Sequence, residues 1–261
     1  MKVVLFCGGQ GLRMRTDGQN LPKPMLTVGY RPILWHVMRY YAHFGHKDFI
    51  LCLGHRADAI KNYFRNYDET VSNDFVLTGG NRVDLIESDI HDWRITFVET
   101  GVESNIGMRL KAVEEHLAGE EMFLANYSDG VSDLPLPTMI EAARNRQAVG
   151  SFLAVRPGST FHVVATGADD MVTSIDPIQR TPIRINGGFF VFRQEIFGHI
   201  RPGEELVEAP FQRLIAERKL MAYTYDGFWG CMDTFKERQA LEELHVSGKA
   251  PWELWKKKPG K

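Results

Sequence analysis

Four apolar residues, Val3 to Phe6, are followed after Cys7 by Gly8-Gly9-Gln10-Gly11, and few folds accommodate that junction. A short β-branched apolar run reads as a strand buried on both faces. A glycine-rich turn at its carboxyl end is the opening of a βα unit, in which backbone N–H groups can converge on an anion. The rest of the first half agrees. Apolar strands are predicted at Phe49 to Leu53, Arg94 to Glu99 and Met122 to Asn126. Helical spacing covers Ile33 to Phe44, Ala57 to Phe64, Leu110 to Leu117 and Leu136 to Arg146. A further strand is expected at Asp74 to Leu77, and Gly79 to Trp93 reads as a hairpin or ordered insertion. Strand and helix alternating over residues 1–155 predict a mostly parallel sheet with helices on both faces. From Ser151 to Phe192 the strands are shorter and alternating, including Phe161 to Ala165 and Gly188 to Phe192, which predicts a smaller antiparallel part. Helices are expected at Leu206 to Lys219 and Thr234 to Val246, with a peripheral tail from Lys249. The expectation is one α/β domain with a Rossmann-like mixed sheet, residues 1–155 forming a nucleotide-binding part and 156–261 an acceptor-binding part.

The net charge is −2, without the basic excess a nucleic-acid backbone requires, so nucleic acid is not an expected partner. No run of about 20 apolar residues is present, so no membrane span is expected. The apolar start is too short for a signal sequence and is interrupted by glycines. Cys7, Cys52 and Cys231 are odd in number and far apart, which fits reduced thiols in a cytoplasmic protein.

Four motifs carry chemistry. Gly8 to Gly11 with Leu12 and Arg13 offers a phosphate cradle and a cation for charge-assisted bonds, although glycine loops after strands also serve as plain tight turns. It matches neither the Walker pattern nor the full dinucleotide fingerprint. In Leu21-Pro22-Lys23-Pro24-Met25 two prolines fix the backbone around one lysine, which holds an ammonium at a set point. Ser128-Asp129-Gly130, after the strand Met122 to Asn126, places a carboxylate where a hard cation bound with substrate phosphates can sit; its bland alternative is an Asp-Gly turn. Asp233, in Met232-Asp233-Thr234, is either a helix N-cap or a second metal carboxylate.

Together GGQGLRM, LPKPM, RPILWHVM, the Ser-Asp-Gly turn, INGGFFVF and MDT stand in the order and spacing of a known family. The chain resembles the sugar-phosphate nucleotidyltransferases over almost its whole length. Through GGNR, VETG, MRLK, GFW and GKAPW it resembles the glucose-1-phosphate cytidylyltransferase branch. The resemblance implies that Gly8, Gly9, Gln10, Gly11 and Leu12, with Ser128, hold the nucleotide. It implies that Arg13 faces the β/γ-phosphates, that Lys23 lies by the α-phosphate, and that Arg109 meets the base. Asp129 and Asp233 would hold Mg²⁺, and His162, Asp176, Arg180, Asn186 and Gly187 would face the acceptor. The implied reaction is attack by a phosphate oxygen of the acceptor, glucose 1-phosphate, on the α-phosphorus of CTP, expelling pyrophosphate. A phosphate monoester is already anionic at neutral pH, so no general base is needed. Such families commonly form homo-oligomers, and Trp229, Trp252 and Trp255 are candidate interface residues.

The acceptor half departs from the family pattern. A Glu-Lys-Pro segment before INGGFF is replaced by Ser174 to Arg180, leaving Arg180 or Arg184 to substitute for a lysine. His162 stands where a glycine belongs, and Ala209 replaces a glutamate. A ring at His162 is expected to fill part of a hexose pocket, which would favour a different phosphorylated acceptor.

Overall fold

The computed structural model describes residues 1–9, 21–158 and 161–256. Its centre is a seven-stranded sheet made of β1 (Val3–Phe6), β2 (Asp48–Leu53), β3 (Arg94–Glu99), β4 (Met122–Asn126), β5 (Gly150–Val155), β6 (Ile185–Arg193) and β7 (Leu220–Tyr225). The spatial order is β7-β5-β6-β4-β1-β2-β3. β1 pairs in parallel with both β2 and β4, β2 with β3, and β5 with β7, while β6 runs antiparallel between β4 and β5. The chain moves outward from β1 through β2 to β3, then returns to place β4 on β1's other side. The order therefore reverses between β1 and β4, the point at which open α/β sheets bind ligands.

Side chains alternate across this sheet with period two. Val3, Leu5, Phe49, Leu51, Leu124 and Phe189 face one core. That core also contains helices α1 (Ile33–His43), α2 (Ala57–Arg65) and α4 (Leu136–Asn145). Val4, Phe6, Ile50, Phe123, Phe190 and Phe192 face the other, built on α3 (Ile106–Ala112) and α5 (Ala209–Ala216). A last helix, α6 (Phe235–Val246), adds Leu241 to the first core. Among the described residues no helix is long and apolar enough to cross a membrane.

Several expectations shift. The strand containing Gly188 to Phe192 is antiparallel, but it lies inside the main sheet; the separate antiparallel ribbon is His162–Thr166 with Val172–Pro177. The insertion before β3 is a hairpin, Phe75–Thr78 with Arg82–Leu85. The helix expected at Leu110 to Leu117 starts earlier, because the Asn105 side chain accepts the Met108 N–H at 2.9 Å, and a 3₁₀ turn takes over at Glu114. The helix expected at Leu206 to Lys219 is shorter, with Pro210 in its first turn. The tail is not peripheral as far as Lys256. Trp252 is fully buried against Phe228 and His36, and Trp255 packs on Trp35. Its apolar rings outweigh the neighbouring lysines, so Trp252 is a core residue and not an interface residue.

Candidate active site

The Lys23 turn is a 3₁₀ element, Lys23–Met25, in which Pro22 and Pro24 are buried and the Met25 N–H donates to Pro22 C=O at 2.8 Å. The lysine thus leaves a rigid base. Its ammonium donates to Asp129 Oδ2 at 2.5 Å and also to Asp233 Oδ1. The partners come from three distant places in the chain. Asp129 follows β4, and Gly130–Ser132 pairs with Trp229–Cys231 in a short antiparallel ladder. The Met232 N–H donates to Asp129 C=O at 3.0 Å and carries Asp233 alongside. Asp233 is not the cap of α6. Thr234 is, in a capping box with Glu237, which leaves the Asp233 carboxylate turned to Lys23.

Burial alone pulls the Lys23 ammonium down, but Asp129 and Asp233 overturn it and hold the group above the ordinary lysine value. Burial, with Asp233 adding repulsion, raises the Asp129 carboxyl in spite of Lys23. Two carboxylates converging on one cation form a hard oxygen donor set suited to a divalent metal ion.

The cluster lies at one side of a cleft of ≈ 1210 Å³ bordered by Gly9, Arg109, Tyr127, Asn186, Gly187 and Trp229, among others. The structure therefore brings together Gly9, Lys23, Asp129, Asp233, Asn186 and Gly187 as the resemblance implied. Gln10, Gly11, Leu12 and Arg13 lie outside the described residues.

Other expected residues sit differently. Arg109 borders the cleft but is 3% exposed. Its four terminal N–H groups donate to Leu53 C=O, Thr100 Oγ1, Gly8 C=O and Val102 C=O at 3.2, 2.7, 3.0 and 3.3 Å. It pins the glycine loop from behind. Gly8 is glycine for that reason, since a Cβ there would stand 1.9 Å from Arg109 Nη1. Ser128 is wholly buried, with its hydroxyl donating to Phe6 C=O at 2.8 Å. His162, Asp176 and Arg180 are exposed and do not border the cleft. His162 and Asp176 belong to a two-stranded ribbon separate from the main sheet, and the ring of His162 does not line this cleft. Arg184 is held by Asp226 at 2.9 Å, together with Arg156.

Several cleft residues escaped the sequence reading, Trp229 and Glu205 among them. Trp229, taken for an interface residue, donates Nε1–H to Gly187 C=O at 2.8 Å and borders the cleft. Glu205 accepts the Ile106 and Leu206 N–H groups at 3.2 and 2.9 Å, and nothing in its sequence context marks it.

A sheet with this switch point, Gly8-Gly9 at the end of one of its two strands and a lysine between two carboxylates at the other, is an arrangement suited to an enzyme that handles phosphates. The chain belongs to the nucleotidyl transferase family, whose profile matches residues 2–234. It is 35% identical to the glucose-1-phosphate cytidylyltransferases of Salmonella typhimurium and Salmonella typhi over 256 residues, covering 98% of this chain and 100% of each relative. The fold is similar to that of a UDP-glucose pyrophosphorylase solved with UDP-glucose, at a TM-score of 0.67 and 15% identity, over 95% of this chain and 98% of that one.

Proposed function

We propose that the protein transfers CMP from CTP to glucose 1-phosphate, giving CDP-glucose and pyrophosphate. The observation that carries the reading is the convergence of Asp129 and Asp233 on Lys23 at the β1/β4 switch point. The cytidylyl and glucosyl identities rest on the two full-length relatives. Residues 1–155 supply the nucleotide side through the glycine loop, and 156–261 the acceptor side through Asn186, Gly187 and Trp229. Asp129 and Asp233 hold Mg²⁺, which when bound offsets phosphate charge as the reaction proceeds. Lys23 supplies a fixed positive charge beside the α-phosphorus, and the family resemblance assigns the leaving pyrophosphate to Arg13. An acceptor phosphate oxygen forms the new bond to the α-phosphorus while the bond to the β-phosphate bridging oxygen breaks. Catalysis is positioning and charge stabilisation. The departures at Ser174 to Arg180, His162 and Ala209 had favoured a different acceptor; His162 stands outside the cleft, and glucose 1-phosphate is retained on the strength of the two full-length relatives.

A panel of CTP, UTP, dTTP and GTP with glucose 1-phosphate and Mg²⁺, read by pyrophosphate release, tests this. CTP should lead by about two orders of magnitude; equal rates, or none with CTP, would overturn the reading.

We also infer a cytoplasmic homo-oligomer. Free Cys7, Cys52 and Cys231 support the location. The oligomer is supported by the hairpin before β3, where Phe75 opposes Leu85 and Leu77 opposes Val83. Those four apolar side chains share one face and are 40–56% exposed, an arrangement that suits a subunit contact. Light scattering on Leu77→Asp should show a smaller species than the parent.

A further inference from the structure

Five described residues other than glycine have positive φ: Arg56, Ser128, Gln147, Asp170 and Arg218. Four are exposed or half-buried. Ser128, with φ +67°, is 0% exposed. A side chain in this left-handed step is strained and persists only where its surroundings over-determine it. Here they do. The Ser128 N–H donates to Asn126 Oδ1 at 2.7 Å, and Asn126 in turn donates to the Tyr41 hydroxyl at 3.3 Å. The Ser128 hydroxyl donates to Phe6 C=O at 2.8 Å. On either side, the Tyr127 N–H donates to Gly188 C=O at 3.1 Å, and Asp129 C=O accepts from Met232.

The position of this step matters more than its strain. The β1–β4 ladder ends at the Leu5–Asn126 pair, and beyond it β1 leads on to Gly8 and β4 to Asp129 with no further ladder pair between them. The Ser128 hydroxyl is the next link across that gap. It ties the carbonyl just before the glycine loop to the backbone that aims Asp129.

We propose that Ser128 is a positioning residue for this site: its hydroxyl, anchored on Phe6 C=O, holds the left-handed step that directs the Asp129 carboxylate onto the Lys23 ammonium that it shares with Asp233. The proposal rests on the reading of Asp129 as a metal carboxylate. Should the step relax to negative φ, the direction of the Asp129 side chain changes and its contact with Lys23 is lost.

Two substitutions separate hydroxyl from backbone. Ser128→Ala keeps the Cβ that resists positive φ and removes the hydroxyl that holds it there. Ser128→Gly removes both, and glycine adopts this φ at little steric cost. In the full chain, Ser128→Ala should lower kcat by about tenfold and raise the Mg²⁺ concentration for half-maximal rate by about fivefold, with KM for glucose 1-phosphate nearly unchanged. Ser128→Gly should stay within about threefold of the parent on each measure. Amide hydrogen exchange over residues 127–131, which needs no turnover, should speed up in the alanine variant more than in the glycine variant. Should Ser128→Ala not fold, Asn126→Ala breaks the same turn from its other end and should show the same kinetic pattern. If alanine and glycine behave alike, at any size of effect, or glycine is the worse, the proposal is overturned. Asp129→Asn separates the two levels. Retained Mg²⁺-dependent turnover would sink the functional reading, whereas a dead Asp129→Asn with equal Ser128 variants would sink only this inference.

Discussion

Replacing Gly8 with alanine isolates the junction between the glycine-rich segment and the sheet. The new Cβ would lie 1.9 Å from Arg109 Nη1 and 2.3 Å from Cζ. Ordinary contact begins near 3.4 Å, so the guanidinium must retreat by about 1.5 Å. Its four hydrogen bonds, between 2.7 and 3.3 Å, cannot survive that movement within bonding range. Each contributes about 0.5–1.5 kcal/mol net, and a charged group left buried without partners adds to the loss, so about 3–4 kcal/mol is expected. Urea unfolding of Gly8→Ala should show a destabilisation of that size, accompanied by a higher KM for CTP. Arg109→Met provides the control, because its narrower side chain leaves room for the methyl. The double variant should then be little worse than Arg109→Met alone, a strongly non-additive pair. A Gly8→Ala cost below about 1 kcal/mol, or additive costs, would refute the reasoning.

Three other outcomes follow from the same geometry. His36 is buried, its Nδ1 accepting from Trp252 Nε1–H and its Nε2–H donating to Val28 C=O, and burial pushes it down to about 4. The unfolded chain binds the proton more readily, so this stability is complete above about pH 6.5 and falls by about 3 kcal/mol as pH drops to about 4; unfolding curves of the parent and His36→Gln should diverge across that window and run parallel above it. Lys23→Ala removes the fixed cation and should lower kcat by about two to three orders of magnitude with a smaller change in KM, measured by pyrophosphate release. Because Asp129 is raised above the ordinary aspartate range, the acid limb of kcat/KM should lie above that range and move to lower pH as Mg²⁺ increases, since cation and proton compete for the carboxylate; a limb indifferent to Mg²⁺ would speak against metal binding there.

Periodicity made most of the fold legible. Val3 to Phe6, Met122 to Asn126 and Ile33 to Phe44 matched because burial on both faces, or on one helical stripe, leaves a pattern that tertiary context does not override. The losses came where a distant contact decides. The start of α3 at Ile106 is set by the Asn105 cap, and Gly107 within it is glycine because a Cβ there would stand 2.2 Å from Glu204 C=O. Asp233 and Thr234 are both good caps, and only the reciprocal bonds with Glu237 choose Thr234. Lys23, Asp129 and Asp233 were readable as a set through the family resemblance, and their convergence depends on the Gly130–Ser132 ladder with Trp229–Cys231. His162 was assigned to the acceptor through the family resemblance, and its ribbon, separate from the main sheet, does not line the cleft.

The central claim is that a phosphate oxygen of glucose 1-phosphate attacks the α-phosphorus of CTP. Incubating the protein with CTP, Mg²⁺ and glucose 1-phosphate labelled with ¹⁸O in its phosphate, and locating the label by mass spectrometry, tests it directly. The account predicts CDP-glucose with the label in the phosphate next to glucose and in the bridge between the two phosphorus atoms, and unlabelled pyrophosphate. Labelled pyrophosphate, or no CDP-glucose at all, would contradict it.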